Sequence, residues 1–273
     1  MREDHVLHRI QRQSPMASSS CVALTFQQQT GKGISASTIR RRMISFGLKS
    51  RIASKKPMIS AVNKKKRLHW ARLHRHWTSE QWRRVIFSDE VPISLIQISQ
   101  QRYVRCYPSE KYSPGMTRPI IHSGGGKLMY WGCFQGTQVG PLHEVQGRLN
   151  AHAYIQLLEH NLNVANMQEN NLIFQQDNAP IHKARYTMHW FQEHNINVLD
   201  WPPQSPDCNP IENVWSRLKR ALDKERITSK VQMRQRIQQL WTRIGPGYLE
   251  RLVDSMPRRI NAVIKSHGGP TKY

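Results

Sequence analysis

The sequence has 273 residues, and its 41 lysines and arginines outnumber its 18 aspartates and glutamates, giving a formal net charge of +23 at pH 7. This length suits one large domain or a small domain joined to a larger one, and the charge points to a polyanionic partner. No stretch of about 18 apolar residues is present and the charged N-terminus does not fit a signal peptide, which excludes membrane-spanning and secreted classes.

The four cysteines, Cys21, Cys106, Cys133 and Cys208, lie far apart with no paired spacing. A zinc ribbon or a disulfide framework needs such spacing, so neither is expected. We therefore expect a soluble protein of a reducing, intracellular compartment.

The first predicted structural unit is a helix-turn-helix. Helices are expected over 2–12 and 18–28, and after the turn "TGKGI" a further helix begins with Ser35 or Ser37 as its N-cap. The apolar side chains of this last helix share one face, which leaves its arginines outside, as a helix in a DNA major groove requires. An ordinary helical hairpin with solvated arginines fits the same pattern.

A basic linker is predicted over 49–67, where eight lysines and arginines occur with no acidic residue. It suits a segment that crosses a phosphate backbone, and "NKKKR" resembles a nuclear-import signal. A basic segment alone also fits a solvated or ribosome-like arm. The residues predicted to contact DNA in these two regions are Lys32, Ser37, Thr38, Arg40, Arg41, Arg42, Lys49, Arg51, Lys55, Lys56, Lys64, Lys65, Lys66 and Arg67.

Strands are predicted to follow the linker, and helices gather towards the C-terminus. A helix from Leu68 to Trp77 and a capping box at Thr78 and Gln81 come before the first strand. The predicted strands are 85–88, 102–107, 127–134, "LIF" before Asp177, and "NINVL"; the predicted helices are 151–166, 183–194, 210–224, 228–243 and 247–265.

Three acidic residues lie where predicted elements end or begin. Asp89 and Asp177 each follow a strand, and Glu212 opens a helix after the proline-rich run "WPPQSPDCNP". Taken singly, each also fits a polar strand end, a turn, or an acid at a helix N-terminus. Together, three such carboxylates could hold a pair of Mg²⁺ or Mn²⁺ ions for phosphoryl transfer.

The neighbouring polar residues receive other predictions. Glu90 should face the opposite side of its strand from Asp89 because strand side chains alternate. Asp207 is interpreted as a turn residue of "SPDCNP" and not as a metal ligand. His182, five residues after Asp177, could lie near the scissile phosphate.

At these residues the chain resembles the Tc/mariner superfamily of DNA transposases. Between Asp177 and Glu212 lie 34 residues, which is similar to the Asp-Asp-34-Glu pattern of the Tc branch. The matching segments are "FSDE" at 87–90, "HSGGGKLMYWGCF" at 122–134, "FQQDNAPIHKA" at 174–184, "DWPPQSPDCNPIENVWSRLK" at 200–219 and the tail "VDSMPRRINAVIKSHGGPTKY".

The resemblance implies an α/β fold: a ribonuclease-H-like catalytic domain, with a mixed sheet flanked by helices, over 68–273. A small all-α helix-turn-helix domain over 1–48 and the linker 49–67 would precede it. Asp89, Asp177 and Glu212 would be the catalytic and metal-binding triad, and Lys127 after "GGG" would contact a phosphate.

The implied activity is metal-dependent cut-and-paste transposition. Two Mg²⁺ ions, replaceable by Mn²⁺, would serve cleavage at terminal inverted repeats and strand transfer into TA sites. The partners would be those double-stranded DNAs and a second copy of the chain, in a homodimer or higher assembly, with no membrane. The location would be the nucleus.

Two departures from the family pattern accompany the match. Members of this branch carry a further upstream helix-turn-helix that we do not find, so a truncated or host-recruited, catalytically silent DNA-binding protein is the alternative function. Val91 replaces a small polar residue, and Pro92 removes a backbone donor after the catalytic strand.

Overall fold

The structure is a computed structural model that describes residues 2–50, 58–94, 127–225, 227 and 229–273. The predicted strand 102–107, the "GGG" turn and the predicted DNA contacts Arg51, Lys55 and Lys56 lie outside these residues. The chain divides into two compact units, Met1–Lys56 and Pro57–Tyr273.

The first unit is a three-helix bundle, with α1 over Arg2–Gln13, α2 over Ser19–Thr30 and α3 over Ala36–Ser45. Ser18 and Ser35 cap α2 and α3 by accepting hydrogen bonds from backbone N–H groups of the first turn. A single apolar cluster joins the three helices; its buried members are Leu7, Ile10, Val22, Phe26, Ile39 and Met43. The predicted helix-turn-helix and its apolar face are therefore present.

The second unit is built on a five-stranded mixed sheet with the order β3-β2-β1-β4-β5. Its strands are β1 Val85–Ser94, β2 Lys127–Gln135, β3 Gln138–Val145, β4 Ile173–Gln175 and β5 Asn197–Val198. β2 pairs antiparallel with β1 and β3, whereas β4 pairs parallel with β1 and β5. The sequence did not predict β3, whose glycine, proline and histidine interrupt the alternation of apolar residues.

Helices cover both faces of this sheet. They are α4 Ala61–Leu73, α5 Ser79–Arg83, α6 Ala151–Asn161, α7 Val164–Glu169, α8 Arg185–Glu193, α9 Ile211–Leu222, α10 Lys230–Thr242, α11 Pro246–Val253 and α12 Met256–Lys265. One apolar core packs α4, α5 and α9 to α12 against one face, and a second packs α6 to α8 against the other. Within the described residues no helix is long and apolar enough to cross a membrane.

Several predicted boundaries differ from the structure. The predicted strand 85–88 continues to Ser94 as β1, so Asp89 lies within this strand and not after it. Residues 61–67, assigned to the linker, form the first half of α4. The predicted helix 151–166 is divided into α6 and α7, and 247–265 is divided into α11 and α12, where Pro257 occupies the first turn of the new helix. The capping box of Thr78 and Gln81 is confirmed at the start of α5.

Pro92 lies within β1, opposite Met129 of β2. Past Phe87, β1 has a strand neighbour only on the β2 side among the described residues. A proline is tolerated in a strand where one edge is unpaired, because its missing N–H removes no ladder hydrogen bond there.

Candidate active site

The parallel pairing of β1 and β4 sets the positions of two carboxylates. The last pair of this ladder joins Phe87 to Gln175. Asp89 and Asp177 each lie two residues beyond that pair, just past the end of the parallel ladder. Two residues distant in sequence therefore arrive side by side.

Glu212, in the first turn of α9, lies beside the same end of the β1–β4 ladder. Tight turns fill the proline-rich run before it, and α9 begins at Ile211, which places Glu212 in the first helical turn. Asn209 holds this start, since its Oδ1 accepts from the N–H of Ile211 at 3.3 Å and its carbonyl accepts from the N–H of Glu212 at 3.3 Å.

All three carboxylates line one cavity of about 370 Å³. The remaining wall is made by the loop after β4 and by the proline-rich run; its residues are Asn178, Ala179, Trp201, Pro202, Pro203, Gln204, Ser205, Pro206 and Asn209. The carboxylates thus form a charged side of the cavity, and the proline-rich run forms a side whose backbone is restricted.

The three carboxyl groups differ in pKa. Burial raises the pKa of Asp89 well above its usual value, and the charges of Glu212 and Glu90 raise it further. Burial also raises the pKa of Glu212, against a smaller opposing effect of Lys219. Burial would raise the pKa of Asp177 as well, but hydrogen bonds from His182 and from the backbone N–H of Ala179 outweigh it, so that pKa is lowered.

The donor set suits hard divalent cations, which prefer carboxylate oxygens. A cation in the cavity would also relieve the crowding of negative charge that raises the pKa of Asp89. In the described part of the chain, no three His, Cys, Asp or Glu side chains surround a single point as ligands of one ion. The residues that could hold a metal are Asp89, Asp177 and Glu212.

His182 connects Asp177 to the other face of the sheet. Its Nδ1 lies 2.7 Å from Asp177 Oδ1, and its Nε2 lies 3.3 Å from Glu90 Oε1. Burial lowers the pKa of His182, but Asp177 and Glu90 outweigh it and raise that pKa to about 9. The imidazolium thus ties Asp177 to β1.

Glu90 faces away from Asp89, into a separate cavity, as the alternation of strand side chains predicts. Sequence reasoning nevertheless missed its contact with His182. The only available signal was the alternation itself, which says which face a side chain takes but not what lies there.

In the first unit, Arg40 and Arg41 are exposed on α3 and make the free basic face that the sequence predicts. Other predicted DNA contacts are engaged within the unit. Lys32 pairs with Glu3 at 2.7 Å, and Arg42 lies 3.4 Å from Asp4. Ser37 and Thr38 both lie 2.9 Å from the hydroxyl of Ser35, and Lys49 is exposed.

In the second unit, Lys64, Lys65 and Lys66 are exposed on α4, and Lys127 is exposed at the start of β2. Arg67 is different, because its side chain is fully buried. The prediction that Arg67 contacts DNA is therefore wrong: the guanidinium is used inside the protein.

Asp207 is the partner of Arg67. Its two carboxylate oxygens accept from the guanidinium at 2.9 and 2.8 Å, and Oδ2 also accepts from the N–H and hydroxyl of Thr271. Asp207 does lie in a turn, as predicted, but its side chain points inward and joins α4 to the C-terminal tail. The sequence carried no signal for this pairing across 140 residues.

Comparisons with known proteins find relatives of this chain. Residues 4–76 match a helix-turn-helix family model described as "Transposase", and residues 84–234 match one described as "DDE superfamily endonuclease". The chain is 35% identical to the transposable element Tcb1 transposase of Caenorhabditis briggsae, over 99% of this chain and 100% of that protein.

A second relative and a solved structure extend the comparison. The transposable element Tc1 transposase of Caenorhabditis elegans is 35% identical, again over 99% of this chain and 100% of the relative. The mariner Mos1 paired-end complex with Mg has the same fold, with a TM-score of 0.83 at 18% identity, covering 98% of this chain and 80% of that one.

Proposed function

We propose that this chain, which belongs to the Tc1/mariner family of DDE transposases and moves DNA by cut and paste, carries out its chemistry with Asp89, Asp177 and Glu212. The observation that supports this most directly is the shared cavity, which collects one carboxylate from β1, one from the loop after β4 and one from α9. Three acidic side chains brought together repel one another, which is unfavourable. A functional site at this cavity explains why three separate elements nevertheless bring their carboxylates to it.

The metal requirement is part of the proposal. Asp89, Asp177 and Glu212 would hold two Mg²⁺ ions, or Mn²⁺ in their place, and a structural relative is described as a complex with Mg. Ions bound there would supply activation of an attacking water or hydroxyl and stabilisation of the leaving oxygen in a phosphoryl transfer.

The chain's own groups then have distinct tasks. Asp89 and Glu212 line the cavity and would hold the ions there, and His182 keeps Asp177 ionised and oriented through its 2.7 Å contact. The same site would first hydrolyse the strand at the terminal inverted repeat and then direct the freed 3′-hydroxyl to a TA target.

DNA is the proposed partner of both units. Arg40 and Arg41 of α3 would enter the major groove, where arginine reads base edges. Lys64, Lys65 and Lys66 of α4 and Lys127 would contact phosphates. The division after residue 56 supports a separate first domain near 1–48. Since α4 begins at Ala61 and belongs to the second unit, we place the start of the catalytic domain near 61 and not at 68. A homodimer or larger assembly on DNA stays a prediction.

The test is strand transfer with the purified full chain. Pre-cleaved element ends, a TA-containing plasmid and Mg²⁺ or Mn²⁺ are incubated with the protein or with Asp177→Asn. Joining that needs metal and that the variant lacks is the expected result. Salt-sensitive DNA binding without joining would favour the silent DNA-binding alternative, and joining by the variant would overturn the site assignment.

Nuclear location is proposed from the DNA substrate and the basic residues of 49–67. A fluorescently tagged chain should accumulate in the nucleus. A tagged chain that stays in the cytoplasm with 49–67 intact would contradict it.

A further inference from the structure

A buried polar layer lies directly beneath the three carboxylates. Its members, Ser88, Gln175 and Asn209, are between 0% and 5% exposed. Each lies one to three residues before a carboxylate: Ser88 before Asp89, Gln175 before Asp177, and Asn209 before Glu212. The layer therefore includes one residue from each of the three chain segments that supply a carboxylate.

Ser88 and Gln175 join β1 to β4 at the point where their backbone ladder stops. The backbone N–H of Ser88 donates to Gln175 Oε1 at 3.2 Å, and the hydroxyl of Ser88 donates to the Gln175 carbonyl at 2.7 Å. Side chains thus continue the strand pairing for one more step, after which Asp89 and Asp177 follow.

Asn209 joins β1 to α9. Its Nδ2 donates to the carbonyl of Ser88 at 3.2 Å, while its Oδ1 accepts from the N–H of Ile211 at 3.3 Å. One amide therefore fixes the distance between the residue before Asp89 and the first turn that carries Glu212.

Stability alone does not account for this layer. Gln175 Nε2 is buried and has no hydrogen-bond partner among the described residues, and an unmade buried hydrogen bond costs about 1–3 kcal/mol. An apolar side chain would avoid that cost but could not accept from Ser88. The chain therefore keeps the buried Gln175 amide, despite its unpaired N–H group, at a position where this amide accepts from Ser88 next to Asp89.

We propose that Ser88, Gln175 and Asn209 are positioning residues that set the separations of the three carboxylates and thereby the affinity of the site for divalent ions. The inference rests on the proposed function, because it assumes that these carboxylates bind metal. A metal site needs its ligands held within about 0.5 Å, and buried hydrogen bonds behind the ligands provide such precision.

The experiment uses the full chain with Ser88→Ala and Asn209→Ala. Mn²⁺ is titrated into each protein by calorimetry, the Mn²⁺-induced rise in Tm is recorded, and strand transfer is measured across Mn²⁺ concentrations. Both variants should bind Mn²⁺ about 10–100-fold more weakly and need correspondingly more Mn²⁺ for joining, with unchanged affinity for element-end DNA.

Gln135→Ala is the matched control. Its side-chain amide also bridges two elements, donating to the Arg83 carbonyl at 2.8 Å, but at the opposite end of β1. It should lose similar stability and keep the Mn²⁺ affinity of the parent chain. Ser88→Ala removes a single oxygen atom and is the milder change. The Mn²⁺ titration can therefore rely on this variant if Asn209→Ala does not fold.

The outcomes separate the two proposals. If the parent chain binds Mn²⁺ and joins strands while both layer variants keep its affinity, or while Gln135→Ala loses as much affinity, the positioning role is overturned and the proposed function stands. If the parent chain neither binds Mn²⁺ nor joins strands, the proposed function fails and the positioning role falls with it.

Discussion

Arg67 and Asp207 form a two-pronged ion pair in the interior of the second unit, with Nη1–Oδ1 and Nη2–Oδ2 distances of 2.9 and 2.8 Å. Arg67 also donates to the carbonyls of Gly268 and Gln204. One guanidinium thus connects α4, the turn before Glu212 and the C-terminal tail.

Loss of either partner should be strongly destabilising. Arg67→Met leaves the carboxylate of Asp207 without its cation, and Asp207→Asn leaves the buried guanidinium without its anion; each should cost about 3–5 kcal/mol. Urea unfolding of the two variants checks this. Lys66→Ala, one residue earlier and exposed, should change stability little, and equal losses in all three would contradict a specific pair.

Stability should fall in acid because of the same pair. Burial raises the pKa of Asp207, but the hydrogen bond and charge of Arg67 outweigh this and lower it below the usual 3.8. A lowered folded pKa contributes stability above the unfolded value, and that stability is lost as pH falls through the folded value. Unfolding free energy measured below pH 4 should drop more steeply for the parent chain than for Asp207→Asn.

In the metal-free protein, Asp89 should give stability the opposite pH dependence to the one that Asp207 gives. Its folded pKa is raised above 3.8 by burial and by neighbouring acids, so stability is lost as pH rises from that value, by up to about 1.4 kcal/mol per pH unit. Asp89→Asn should match the parent chain near pH 4 and be more stable at pH 7 with chelator present. Added Mn²⁺ should reverse the order, since metal stabilises only the parent chain. An Asn variant that is less stable at pH 7 without metal would contradict this.

Gly132 keeps α9 close to the sheet. It lies opposite Asp89 in the β1–β2 register, and a Cβ there would come within 2.8 Å of the Trp215 ring and 3.1 Å of the Trp241 ring. Gly132→Ala should cost about 1–3 kcal/mol and reduce cleavage by shifting Glu212. Chemical unfolding and cleavage rates test this beside Gly245→Ala, which meets no atom within 4 Å and should change neither.

The two neighbouring arginines of α3 should differ in DNA binding. Arg41 is exposed, whereas Arg42 is partly buried and lies near Glu3 and Asp4. Arg41→Ala should weaken binding to element-end DNA and lower the slope of log K against log salt by about 1. Arg42→Ala should mainly destabilise the first unit. Equal salt slopes for Arg41→Ala and the parent chain would remove Arg41 from the interface.

Local signals made much of this fold predictable. Two predicted strands run parallel, so Asp89 and Asp177, each two residues past the last pair of that ladder, had to lie close together. The prolines before Ile211 had to stop any helix from beginning earlier. Serine caps and glycine turns marked the helices of the first unit in the same way.

Long-range polar pairing was not predictable. Arg67 lies among lysines in a run that indicates exposure, and only the approach of Asp207 makes its burial favourable. Ser88, Gln175 and Asn209 likewise look like ordinary polar residues near turns. Their role depends on distances between elements, which local sequence does not encode.

The hydrogen bonds that Thr271 donates to Asp207 can form only after Thr271 has been synthesised. Asp89, Asp177 and Glu212 are all translated before Thr271, whose N–H and hydroxyl complete the partners of Asp207. Until Thr271 has left the ribosome, the turn leading to Glu212 lacks its last support.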